Sequence, residues 1–449
     1  MKSESLMSFV GRPGIGTFLL ILALPHLGLS QTSTDSSGRQ QTLAIHFQQT
    51  VVTQWHYSFH VPYEGLNSLS SSSESKMSVT STLFLGVRLT PTTEVYLNPE
   101  LSGGDGLSGT SGIAGFPNGE TFRIGNPTPT LTPARMYIQQ SIPLGDESES
   151  VSDEPNHLAG KSAVRRITLA AGKFSLADFF DDNTYSHDPR SQFLNWSLMD
   201  NGAWDYAADT RGYTWGMYAE EHESDWSSRI AATMVPKEAN KLEMDTDISK
   251  AFSLNLELER KYTLESYDGV VRLLFYRNLA HMGNYREAVD EPQYQLDITR
   301  TRTYSRTKLG LGLNIEQAIS ASGGLFLRLG WNDGKNETWA FTEIDQTVSA
   351  GGLWNGKGWD RPNDHAGGAV VANGLSNDHR DYLAAGGYGF IIGDGKLNYR
   401  PETIVEGFYC AQLATWMAAT ADYQFVLNPA YNADRGPVHV FALRMHLEM

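Results

Sequence analysis

The sequence predicts a transmembrane antiparallel β-barrel of about sixteen strands with inward-folded loops, an even number within the range of single-chain barrels. Three observations carry this reading. Segment after segment alternates apolar and polar residues; no apolar run downstream of the N-terminus is long enough for a membrane helix; and the mean hydropathy is -0.34. A barrel strand turns one side chain to lipid and the next to water, so half of each strand is polar and the average conceals the membrane surface.

Taken in order, residues 1–30 read as a cleaved export signal. Lys2 and Arg12 give a basic start, Ile15 to Leu24 an apolar core, and Gly28 and Ser30 the small residues a signal peptidase reads. That core is about ten residues, half of the roughly twenty a bilayer-spanning helix needs. Residues 31–42 are Ser, Thr, Gln and Asp with little to bury, and are expected to be disordered. Residues 43–449 are expected to form one barrel domain, because no Pro-rich or charge-block linker divides them.

Within the barrel, Leu43 to Pro62 is a long aromatic segment, and Leu83, Leu85, Val87 and Leu89 share one face of the next. Phe252, Leu254, Leu256 and Leu258 alternate with Ser253, Asn255, Glu257 and Glu259, and Leu309, Leu311, Leu313 and Ile315 with Lys308, Gly310, Gly312 and Asn314. The last strand shows the pattern best. Phe441, Leu443, Met445 and Leu447 suit lipid, whereas Arg444, His446 and Glu448 are expected to face a wet lumen, since charge is costly against hydrocarbon. Short breaks at Thr90 to Thr92 and Ser320 to Gly323 contrast with long ones at about 102–133, 145–162, 177–210, 286–301 and 346–380. Short periplasmic turns and long external or inward-folded loops produce that asymmetry.

The net charge of -16, with 35 basic against 51 acidic residues, argues against a nucleic-acid partner. A single cysteine, Cys410, precludes an internal disulfide. The histidines show no metal-binding spacing on a predicted helix, and no cofactor or metal is expected. The stretch Gly104-Asp105-Gly106-Leu107-Ser108-Gly109 matches a dinucleotide fingerprint only on paper, since it lies in a loop without the strand and helix that motif requires. No Gly-x-Ser-x-Gly elbow is present.

Three stretches together resemble the carbohydrate-selective porins of the OprB type. The first runs from Phe47-Gln48-Gln49-Thr50 through Gln54-Trp55-His56 to Pro62-Tyr63-Glu64-Gly65-Leu66-Asn67. The second holds Gly172-Lys173-Phe174, Asp178-Phe179-Phe180-Asp181, Asp188-Pro189-Arg190, Asn195-Trp196 and Gly202-Ala203-Trp204-Asp205-Tyr206 through Arg211-Gly212. The third holds Asp422-Tyr423-Gln424, Asn428-Pro429-Ala430-Tyr431-Asn432, Arg435-Gly436-Pro437 and Arg444-Met445-His446. The resemblance covers nearly the whole mature chain. It implies a sixteen-stranded outer-membrane barrel of a Gram-negative bacterium, a lumen narrowed by inward loops and passive passage of small sugars; the expected partners are small sugars and outer-membrane lipid, with the oligomeric state left open and a homotrimer one candidate for it. Such families usually finish on an aromatic residue, where this chain has Met449, which still falls on the lipid-facing side of the last strand.

On its own chemistry, the middle stretch concentrates acids, bases and rings in a segment too polar for a strand. Carboxylates and guanidinium forks hydrogen-bond hydroxyls, and indole or phenol faces cover the apolar faces of pyranose rings. Asp178, Asp182, Arg190, Trp204, Asp205, Tyr206, Asp209 and Arg211 are therefore the candidate constriction residues. Set against this is a bland reading in which the same charges are ion pairs that pin a loop. Two other functions fit parts of the pattern: a secreted polysaccharide-binding β-protein, and an outer-membrane barrel hydrolase using Asp178, Asp181 or Asp182, which would need two carboxylates about 5 to 10 Å apart.

Overall fold

The computed structural model describes residues 40–120, 128–291 and 296–449, so the expected signal segment and most of the expected disordered segment lie outside the described residues. In chain order the strands are β1 (Leu43–His56), β2 (Glu74–Thr90), β3 (Thr93–Gly104), β4 (Thr130–Pro143), β5 (Ser148–Val151), β6 (Gly160–Ala163), β7 (Arg166–Phe174), β8 (Thr214–His222) and β9 (Trp226–Thr233). There follow β10 (Phe252–Leu264), β11 (Tyr267–Met282), β12 (Thr303–Ser320), β13 (Gly323–Asn332), β14 (Gln346–Gly356), β15 (Arg361–Gly374), β16 (Glu402–Ala414), β17 (Met417–Leu427) and β18 (Val438–Glu448). Among the described residues all but β5 and β6, which form a separate hairpin, make one closed antiparallel barrel of sixteen strands. β1 and β18 close it, with Val52 opposite Arg444. No described helix is long and apolar enough to cross a membrane.

Alternation gives the wall its two faces. On β18, Leu443 is 55% exposed outward while Val440, Ala442 and Arg444 are buried within. The outer surface of β10 to β12 is a belt of Leu254, Leu256, Leu273, Phe275, Leu309 and Leu311, all exposed, as a lipid-facing surface requires.

Two expectations about loops need correction. The break expected at 346–380 is instead a tight turn between two strands, β14 and β15, followed by the real loop at 375–401. Glycines hide these strands. The space a Cβ would take at Gly367 is filled by the rings of Phe408 and Phe193, and at Gly352 by the ring of Trp354, so neighbouring rings supply the packing that alternating side chains supply elsewhere. Secondly, the connection at 144–165 lies at the end of the barrel that carries the tight turns, not at the external end.

Strand β4 departs from simple alternation. Leu131 and Met136 are five residues apart, yet both are exposed outward, at 68% and 42%. A register shift between Asn98 and Pro99, opposite Arg135 and Pro133, absorbs one residue and brings Arg135 to the lumen side.

Candidate functional site: a charged constriction inside the barrel

The external connection 175–213 folds into the lumen, and its sequence explains how it stays there. A 3-10 turn at Leu176–Asp178 is capped by Ser175, and Asp178 then accepts from Arg135 Nε at 2.7 Å. Asp181 takes a left-handed conformation, φ 57°. That turn sends two adjacent aspartates opposite ways.

Asp181 is buried. Its carboxylate lies 3.0 Å from Arg328 Nε and accepts from Asn201 N and Asn314 Nδ2, both at 2.8 Å. Arg328 also donates to the carbonyls of Leu198, Ser186 and Asp181, so one fully buried guanidinium collects three turns of the loop. Further round the wall, Glu406 accepts from Leu194 N at 2.6 Å and Asn195 N at 3.0 Å, and Arg444 Nη1 donates to the carbonyls of Pro189 at 2.6 Å and Gln192 at 2.8 Å. Asn195 caps a short helix, α1 (Trp196–Met199). Gly312 and Gly330 provide the recess for Asn201: a Cβ at either would lie 2.6 Å or 2.0 Å from its side-chain amide.

The candidate residues divide into two groups. Trp204, Asp205, Tyr206, Asp209 and Arg211 are buried. Trp204 donates through its indole to Asn255 at 3.0 Å, and Tyr206 packs 4.8 Å from the rings of both Trp204 and Phe341. Asp205 accepts from the backbone of Trp339 and Ala340 and lies 3.3 Å from Lys308 Nζ, so it pins the neighbouring loop 333–345. Asp209 turns back on Arg211 N at 2.8 Å, and Arg211 Nη1 donates to Thr132 Oγ1 at 3.0 Å. These five hold the loop together and to the wall.

Asp178, Asp182 and Arg190 keep contact with water. The Asp182 side chain is 63% exposed, yet Arg272 Nη2 is 3.8 Å away. Partial burial would raise its carboxyl, but His187, Arg272, Arg229 and Arg328 outweigh that and hold it below the usual carboxylate range. His187 shows the complement: burial works against its charge, but Asp200, at 3.6 Å, and Asp182 prevail over burial and Arg328, raising it to about 9. Arg190 Nε meets Glu120 Oε1 at 2.8 Å, and Glu120 belongs to a second inward segment, 105–120, where it also accepts from Thr80 at 2.7 Å.

The barrel wall contributes more charge than the middle stretch alone suggested. Arg229 reaches Glu220 at 2.8 Å, Glu257 at 2.7 Å and Glu259 at 3.0 Å, and Arg272 lies 2.9 Å from Glu259. Arg135 and Lys173 flank the ring of Tyr213 at 5.3 and 5.7 Å. The polar face of β10 had shown Glu257 and Glu259 in the sequence, but not their partner Arg229. Of the last-strand trio, Arg444 and His446 are buried on the lumen side, the latter 2.9 Å from Thr50 Oγ1, while Glu448 remains half exposed beside His446.

An antiparallel barrel crossed by an inward loop, with ion pairs left wet beside it, has the form of a narrowed channel. The family model for carbohydrate-selective porins of the OprB family matches residues 67–449. Among solved structures, the chain is similar to OprB of Pseudomonas putida at high pH, with TM-score 0.69 and 14% identity over 91% of this chain and 94% of that one. The low-pH structure of the same protein gives TM-score 0.48 and 12% identity over 91% and 93%. The outer-membrane channel DcaP of Acinetobacter baumannii gives 0.49 and 8% over 91% and 97%. No curated relative matches the chain. At such identities the structural likeness bears on the fold, and the family match carries the rest: the chain belongs to the carbohydrate-selective porins of the OprB family and is an outer-membrane channel for sugars.

Proposed function

We propose that sugars pass the constriction in contact with Asp178, Asp182 and Arg190 of the inward loop and with Arg135 beside them, while the buried Glu120 and Arg272 hold these side chains from behind. The observation that carries this is Asp182, whose carboxylate stays exposed and ionised between Arg272 and His187 while its neighbour Asp181 is buried. Hydroxyls can take the lone pairs and N–H groups that such pairs leave free, giving several weak contacts that a permeant makes and leaves in turn. In this reading passage is passive, with no bond made or broken. The exposed apolar belt sits in lipid.

Arg190→Ala tests the contact set. The substitution widens the path and removes a donor fork, so single-channel ion conductance is expected to rise while block of that current by added glucose weakens. Unchanged conductance and unchanged block in folded Arg190→Ala protein would remove this residue from the permeation path. Tyr206→Phe, inside the brace, is the control and is expected to leave both at the parental value.

A further inference from the structure

Six of the connections at the turn-bearing end of the barrel are tight, and the seventh, 144–165, carries the β5–β6 hairpin. In outer-membrane barrels the short turns are periplasmic, so this long connection lies on the exit side. Its tip enters the barrel.

Leu158, 2% exposed, packs beside Tyr96, which belongs to the inward row Tyr96, Asn98 and Glu100 of β3. Gly86, opposite Tyr96 on β2, makes the room: a Cβ there would meet the Tyr96 ring at 3.0 Å and Leu158 Cδ1 at 3.3 Å. Asn98 Nδ2 donates to Asn156 Oδ1 at 2.9 Å. Arg88 donates to the carbonyls of Leu158 and Ala159, both at 3.1 Å, and to that of Gln41 at 2.6 Å. Gln41 is bonded to Ala159 through both its backbone N–H and its side-chain carbonyl, and His46 Nε2 lies 2.9 Å from Asp153. Asn98 is the cross-strand neighbour of Arg135, which holds Asp178 of the external loop. Two inward segments, one from each end of the barrel, therefore reach adjacent residues of the β3–β4 wall.

We propose that residues 144–165 form a second, exit-side constriction in series with the charged one, and that this hairpin sets the largest sugar the channel admits. The external constriction presents ion pairs, which discriminate by hydrogen bonding. The hairpin tip carries the exposed Asp153, Glu154 and His157 around Pro155 and Asn156, with its apolar anchor turned to the wall, and what its body takes from the lumen is cross-section, so it discriminates by bulk. A body that displaces water from a lumen lowers both conductance and the size limit, whatever it is made of. The inference does not depend on which residues contact sugar at the charged constriction.

The experiment replaces residues 146–163 by an Asn-Gly turn in the full-length protein and measures single-channel conductance, together with liposome swelling in glucose and in maltose-series oligosaccharides of rising length. Conductance is expected to rise about twofold or more, and oligosaccharides excluded by the parent are expected to enter. Parental conductance with the parental size limit in a folded variant overturns the proposal. A second measurement stands if the shortened chain does not fold: Asn156→Cys in a Cys410→Ala background, treated with a charged methanethiosulfonate while current is recorded. A stepwise fall in current is expected, and current unaffected by complete labelling overturns the proposal.

Discussion

Two of the segments that enter the lumen are held by different physics. The external loop 175–213 is fixed by buried charge: Arg328 on Asp181, Glu406 on two backbone N–H groups, Arg444 on two carbonyls and Asp205 on a neighbouring loop. The periplasmic hairpin is fixed by one aliphatic side chain, by Arg88, which donates to the carbonyls of Leu158 and Ala159, and by Asn98 on Asn156, with Asp153 exposed. A buried ion pair gives little net stability when formed, but removing one partner strands the other at high cost. Releasing the hairpin carbonyls leaves Arg88 still paired with Glu94 at 2.7 Å, so no charge is stranded and the cost is lower. The external loop is therefore a fixed wall and the hairpin a yielding one.

The largest effect expected from breaking this contrast is that of Arg328→Ala. It leaves Asp181 buried without its counter-ion and releases three carbonyls, a change of about 3 to 5 kcal/mol by comparison with other buried pairs. Heat-modifiable migration should show less folded protein, and surviving channels should carry noisier current. An unaltered folded fraction and quiet channels would mean that the loop is held by its aromatic packing instead.

Next is Leu158→Ala, which removes the hairpin's apolar anchor. Loss of a buried leucine costs about 2 to 5 kcal/mol where the surroundings cannot collapse. Here the effect should remain local: proteolysis within 144–165 accelerates while the melting temperature of the barrel stays put. A drop in barrel melting temperature would show that the hairpin is built into the wall after all.

The smallest effect concerns His187. Its folded pKa of about 9 exceeds the ordinary 6.5, so the stabilisation from its charge is complete below about 6.5 and is lost as pH rises through 9. Protection of loop 175–213 from hydrogen exchange, corrected for intrinsic rates, should decline over that window in the parent and stay flat in His187→Gln. Equal decline in both would assign the pH dependence to another group.

How far the sequence speaks depends on whether a feature is written in alternation or in partnership. β10 and β18 are legible because each second residue is apolar and no bulge intervenes. β14 and β15 are not, since Gly351, Gly352, Gly367 and Gly368 erase the pattern and borrowed rings complete it. In β4 the shift at Pro133 and Arg135 puts an odd interval between outward residues, and a strict period of two conceals which face Arg135 occupies. In the inward loop the residue types identify a charged segment, yet Asp181 and Asp182 differ only by the turn between them, one buried on Arg328 and the other open to water. A carboxylate that braces and one that lines a pore have the same letter in the chain. What separates them is the partner: Arg328, which buries Asp181, lies 147 residues along the chain.

The seam between β1 and β18 has a further consequence for how such a molecule comes into being. Its rungs are ordinary, and Phe47 and Met449 exchange both backbone hydrogen bonds at 2.9 Å. Any other strand, added to a growing ribbon, satisfies one exposed edge and creates another. The joining of β18 to β1 satisfies two and creates none. Assembly therefore ends in a single cooperative step, and an unfinished ribbon is an adhesive sheet with no interior to conduct through.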